Sequence, residues 1–278
     1  MMGFCKLLSV LVLIHSFGVV LGSEVGSSIT GGEDAPKGAW PWMVYLSIAA
    51  DRTNKWRCGG SLLNSQWVLT AANCWDRDPK PDPLRSSAWL GSHDLQKASV
   101  RYMAIVFYML HPQYQAVSNG YVNDLALVKL KKKAELSRLV APVSLPGPGD
   151  TFDSSSECWI TGWGNIKNGV PLPLPETLQQ LKIPIIPQSE CQKKYSQLTS
   201  KQLCAGDPAK AKDACKGDYG GPLVCRTARG FVQVGIISYG SPDGCGLGDR
   251  PGVYTRVSSY VDYINSYINQ AKEASAEV

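Results

Sequence analysis

Apolar and polar residues alternate along this 278-residue chain in short runs, punctuated by glycine, proline and small polar residues. The pattern predicts β-strands over 42–48, 61–70, 87–90, 100–110, 125–130, 158–162, 179–186, 222–225, 231–239 and 252–257. Short strands at that spacing, joined by Gly and Pro turns, indicate an all-β barrel or sandwich. The prolines and small polar residues between Val140 and Ser156 break the pattern, so 140–156 reads as a linker between two β halves. Only the end of the chain is helical in pattern. Val257, Val261, Ile264 and Ile268 recur at i, i+4, i+7 and i+11, a stripe expected to pack on the second half.

The beginning differs again. Lys6 precedes an apolar run from Leu7 to Leu21, and small residues follow from Gly22 to Ser28. This reads as a signal peptide over 1–22, a short propeptide-like segment over 23–28 and a domain over 29–278. The alternative, a retained anchor, is disfavoured because the run falls short of the ~20 residues a spanning helix needs. The mature protein is therefore expected to be secreted, either extracellular or stored in granules.

Hydrophobic residues make up 44% of the chain, enough for a sizeable core. Lys+Arg 28 against Asp+Glu 23 gives a net +5, too mild and dispersed to indicate nucleic acid. Losing Cys5 with the signal peptide leaves eight of the nine cysteines, which in an oxidising compartment implies four disulfides whose connectivity the count leaves open. No Cys-x-x-Cys pair occurs, and neither His93 nor His111 lies at ligand spacing from a cysteine, so no metal and no cofactor is expected.

Eight segments carry a resemblance across the mature chain. They are Ile29-Thr-Gly-Gly-Glu-Asp-Ala35, Cys58-Gly-Gly-Ser-Leu-Leu63, Trp67-Val-Leu-Thr-Ala-Ala-Asn-Cys74, Asn123-Asp-Leu-Ala-Leu-Val-Lys-Leu130, Trp159-Ile-Thr-Gly-Trp-Gly164, Cys204-Ala-Gly206, Asp213-Ala-Cys-Lys-Gly-Asp-Tyr-Gly-Gly-Pro-Leu-Val-Cys225 and Pro251-Gly-Val-Tyr-Thr-Arg-Val257. In this order they resemble the trypsin/chymotrypsin-type serine proteases, tryptases among them. The resemblance implies two six-stranded antiparallel β-barrels with a cleft between them and a C-terminal α-helix. It also implies disulfides Cys58–Cys74, Cys158–Cys225, Cys191–Cys204 and Cys215–Cys245.

The same motifs depart from the family where its chemistry sits. Active members carry the general-base histidine at the position of Asn73 and the nucleophilic serine at the position of Tyr219; Asp124 alone keeps the triad residue. In the triad the imidazole takes the hydroxyl proton and delivers it to the leaving amine, while the carboxylate orients the ring. An amide has no nitrogen that titrates near neutral pH, so Asn73 cannot carry that proton. His93 and His111 sit in turn motifs and are not expected to replace it. A phenol, with an ordinary pKa of ~10, needs a base or a strong positive neighbour before it can attack, and neither accompanies Tyr219. Loss of base or nucleophile alone costs about 10⁶ in kcat in a triad protease, ~8 kcal/mol of barrier. The oxyanion-hole-equivalent amides of Gly217 and Tyr219 cannot make that good. The expectation is therefore no functional catalytic residue and no enzyme activity. The Tyr219 ring is also expected to crowd the cleft and the slot beneath it.

Other family positions are kept. Asp213 with Gly240 and Gly252 matches a slot for an Arg or Lys side chain, and Ser238 with Gly240 matches an edge that pairs with peptide backbone. Ile29 and Asp218 match the pair formed when an activator cuts after a basic residue, but Ser28 precedes Ile29 and offers a trypsin-like activator no site. The run Lys129, Lys131, Lys132 and Lys133 reads as a solvated strand end, with heparin-like glycans as the alternative partner. Three functional classes follow. The favoured one is a secreted, inactive homologue that binds basic peptides, protease inhibitors or partner proteases. The others are an active trypsin-like endopeptidase of unusual mechanism and a cationic glycan-binding defence protein. No membrane span is expected.

Overall fold

The computed structural model describes residues 29–97, 101–207, 212–246 and 249–276; the expected signal peptide and propeptide-like segment, 1–28, lie outside them. A short strand β1 (Glu33–Asp34) precedes β2 (Met43–Ala49), β3 (Lys55–Leu62), β4 (Trp67–Thr70), β5 (Ser87–Leu90) and β6 (Arg101–Leu110). A hairpin of β7 (Gln115–Val117) and β8 (Gly120–Val122) leads into β9 (Ala126–Leu130). Strands β2, β3, β4, β9, β6 and β5 close in that order into a six-stranded barrel. Alternation explains why: Val44, Leu46 and Ile48 of β2 are completely buried, and they meet Val68, Leu127 and Leu130 from the strands opposite.

The second half contains β10 (Cys158–Gly162), β11 (Gln179–Lys182), β12 (Ile185–Ile186), helix α1 (Gln188–Lys194), β13 (Gln202–Ala205), β14 (Pro222–Thr227), β15 (Gly230–Tyr239) and β16 (Gly252–Arg256), and the chain ends in helix α2 (Val261–Ala276). Their sheet runs β1-β11-β10-β14-β15-β16-β13-β12. It is a curled half-barrel, and with the closed first barrel and the C-terminal helix it agrees with the expected two-barrel architecture. Pro184, which has no N–H, splits the predicted 179–186 strand into β11, which pairs with β10, and β12, which pairs with β13. The two pieces are adjacent in the chain, so this one segment pairs with both sides of the curl. Ile183 N still donates to Cys158 O at 3.0 Å on one side, and Gly206 N donates to Pro184 O at 3.1 Å on the other.

The predicted 61–70 strand is likewise two strands. The Asn64 side chain accepts from Gln66 N and Trp67 N at 2.9 and 3.0 Å, turning the chain between β3 and β4. The helical stripe exists, but its partner is the opposite half from the one expected. Val257, Ile264 and Ile268 join the core of the first barrel, and Tyr267 meets Trp67 edge-on with ring centroids 5.5 Å apart. Four disulfides join Cys58–Cys74, Cys158–Cys225, Cys191–Cys204 and Cys215–Cys245. Between the halves, 141–157 holds no strand beyond isolated bridges. Ser61 Oγ on β3 donates to Gln233 Oε1 on β15 at 2.5 Å, tying one barrel wall to the other.

Candidate functional site

Asn73 sits in a one-turn 3-10 helix, Ala72–Cys74, directly after β4, and the Cys58–Cys74 disulfide anchors that turn to β3. Its backbone N–H donates to Asp124 Oδ1 at 2.8 Å. Its side-chain Nδ2 donates to Asp124 Oδ2 at 2.5 Å and to Ser238 O at 3.1 Å. Both amide hydrogens are thus committed to acceptors, which fixes the orientation of the amide. Asp124, just before β9, takes a further bond from Ser238 Oγ, and its own carbonyl accepts from Thr255 Oγ1 at 2.8 Å. Burial pushes the Asp124 carboxyl up to about 6 against the pull of these donors. It is a buried carboxyl whose hydrogen bonds come from Asn73 and Ser238, and among the described residues no imidazole accompanies it.

Tyr219 rides on the turn before β14, which both halves hold. Gly59 N of β3 donates to Tyr219 O, and Gly220 N donates to Ile237 O of β15, each at 2.8 Å. Gly217 begins this turn at φ +104, where a β-carbon would also lie 2.9 Å from Gly164 Cα. Among the described residues no acceptor takes the N–H of Gly217 or Tyr219, and no hydrogen bond joins Asn73 to Tyr219. Burial raises the Tyr219 phenol above its ordinary value, and the carboxylates of Asp213 and Asp218 push it the same way. Neither effect favours a phenolate.

Asp213 lies at the wall of a cavity of about 340 Å³ that Asn73, Tyr219, Ser238 and Gly240 also line. The Tyr219 ring is thus a wall of this cavity, and Asp213, although buried, contributes to its lining. Glycine at 252 is required by the carboxylate, since a β-carbon there would lie 2.5 Å from Asp213 Oδ1. Burial, and secondarily the charge of Asp218, push the Asp213 carboxyl up to about 7, with Ala214 N pulling the other way at 2.8 Å. Asp218 is fully buried, accepts from Gly164 N and Cys215 N at 2.8 and 3.0 Å, and is also raised to about 7 by burial. Ile29 is completely buried with φ 55, and Thr30 bridges to Asp213. Among the described residues no cation pairs with Asp218.

Residues not singled out from the sequence complete the cleft. Tyr121, Tyr195 and Tyr239 line a cavity of about 200 Å³ next to the Asp213 cavity, sharing Tyr121 and Tyr239 with it. Trp56, Arg57, Arg77 and Lys216 line a third cavity together with Gly217 and Tyr219. Neither His93 nor His111 is on the described lining of the two cavities that share Tyr219; His111 instead packs against Tyr260 and Tyr263. Lys129 Nζ lies 5.7 Å over the Trp67 ring, and Lys131, Lys132 and Lys133 are exposed beyond β9. Among the described residues no cluster of metal-ligating side chains occurs and no helix is long and apolar enough to cross a membrane.

Comparison with known proteins agrees with this architecture. The trypsin family model matches residues 29–264. Tryptase of Mus musculus is 40% identical over 254 residues, covering 86% of this chain and 88% of that protein. Coagulation factor XI of Bos taurus is 37% identical over 244 residues, covering 87% of this chain but 38% of that protein. With the closed barrel, the curled sheet and the cleft between them, these matches establish that the chain belongs to the trypsin family and carries a trypsin-type serine protease domain.

Proposed function

We propose that this chain is a secreted, catalytically inactive member of its family that works by binding, taking a Lys or Arg side chain of a protein or peptide against Asp213. The observation that carries the reading is the commitment of the Asn73 amide to Asp124 and Ser238. Asn73 therefore offers the Tyr219 phenol no imidazole-like base, while burial and the carboxylates of Asp213 and Asp218 oppose its ionisation. Binding has separate support. The cavity of about 340 Å³ brings Asp213 within reach of a ligand, and a cation there forms a charge-assisted hydrogen bond with a carboxylate that has few other donors. Four disulfides suit an oxidising compartment and thus secretion.

Calorimetry with benzamidine, a small planar cation, tests the binding half. Saturable binding that Asp213→Asn abolishes is expected. Absence of binding, or binding indifferent to Asp213→Asn, would refute it.

A further inference from the structure

The third cavity, of about 630 Å³, is lined by Tyr219 but not by Asp213, and its lining is mostly cationic. Lys55, Arg57, Arg77 and Lys216 face it, with Asp78 as the one carboxylate on its described lining. Arg57 is neutralised by Glu176 at 2.8 Å. Lys55, Arg77 and Lys216 have no ion-pair partner among the described residues. Arg77 is held in place: its guanidinium lies 5.2 Å over the Trp56 ring, and Trp56 Nε1 donates to Cys74 O at 2.8 Å. Arg77, Lys216 and Tyr219 line both cavities, so the two form one cleft bent around the phenol.

We propose that this cleft recognises a bipolar peptide segment of a partner protein, with a Lys or Arg at Asp213 and Asp or Glu side chains a few residues away among Lys55, Arg77 and Lys216. The inference rests on the reading of the Asp213 slot as a binding site and adds the chemistry of what continues past Tyr219. A wholly basic segment is repelled by the three free cations, and a wholly acidic one by Asp213. A sulfated glycan satisfies the cations but places its own negative charge beside Asp213, which favours a peptide as the occupant.

The test uses the purified chain at low salt and four capped peptides: Gly-Arg-Gly-Asp-Glu-Asp, its reverse, Gly-Arg-Gly-Asn-Gln-Asn, and Gly-Ala-Gly-Asp-Glu-Asp. One acidic Arg peptide, whose order reveals the direction of the segment, should bind about three- to tenfold more tightly than the Asn/Gln peptide. That gain should vanish in the Arg77→Gln/Lys216→Gln double variant, shrink with added salt, and be absent from the Ala peptide's affinity relative to the whole. Equal affinity of the acidic and Asn/Gln peptides overturns the proposal. So does a heparin hexasaccharide whose binding depends on Arg77 and Lys216 while the peptide gain does not. Benzamidine separates the two claims: if it binds through Asp213 and the acidic gain is missing, the cation-lined cavity alone is misread, and if it fails to bind, the slot is misread.

Discussion

The side-chain amide of Asn73 bridges Asp124 Oδ2 and the carbonyl of Ser238, spending both of its hydrogens on the walls of the cleft. The amide thereby neutralises no charge, yet it keeps a fully buried carboxyl hydrogen-bonded. Asn73→Ala should leave that carboxyl short of a donor and lower unfolding free energy by about 1–3 kcal/mol. Urea denaturation measures this. An unchanged midpoint would mean that the Asn73–Asp124 contact contributes nothing to the fold.

Binding of benzamidine should depend on pH in a defined direction. Asp213 is raised to about 7 by burial, and a cation binds its ionised form. Affinity should climb as pH rises from about 5 toward 7 and level off above that, with a proton released on binding below the plateau. Calorimetry across that range in two buffers of different ionisation enthalpy reports both effects. A flat profile would contradict the assignment of Asp213 as the ligand's partner.

Three buried carboxyls also shape stability. Asp124 is raised to about 6, and Asp213 and Asp218 to about 7, in each case chiefly by burial. A carboxyl whose folded pKa exceeds its unfolded value of ~4 holds its proton more tightly in the folded state. Its stabilising contribution is therefore full below ~4 and is lost as pH rises toward 7. Asp218→Asn should show a smaller loss of stability over that window than wild type. Identical pH slopes in denaturation series of the two proteins would refute the raised value.

Strands were readable where burial alternates, as at Val44, Leu46 and Ile48. They were misjudged where one residue interrupts a run that stays apolar: the Asn64 turn splits 61–70, and Pro184 splits 179–186. The stripe of Val257, Ile264 and Ile268 announces that a helix face is buried but is silent about what covers it, and the first barrel does. In the cleft, Asn73, Asp124, Asp213 and Tyr219 were found because they sit inside contiguous motifs. Trp56 on β3 and Arg77 in the loop after Cys74 lie outside the motifs, Lys216 lies inside one but carries no catalytic signature, and only the folded chain brings the three to one cavity.

Docking of α2 on the first barrel is testable through Trp67 and Tyr267, whose rings meet edge-on. A double-mutant cycle with Trp67→Leu and Tyr267→Leu should give a coupling energy of about 0.5–1.5 kcal/mol in unfolding free energy. Zero coupling would place the helix elsewhere.

The central claim is that the cleft binds without cutting, and turnover measures it most directly. Purified mature protein, incubated with peptides bearing Arg or Lys, is expected to yield no cleavage products and to resist labelling by a serine-directed phosphonylating reagent. Asn73→His combined with Tyr219→Ser, in a chain cut to begin at Ile29, serves as the reference in which some hydrolysis should return. Cleavage by the unaltered protein that disappears in Tyr219→Phe would contradict the account and identify the phenol as a nucleophile.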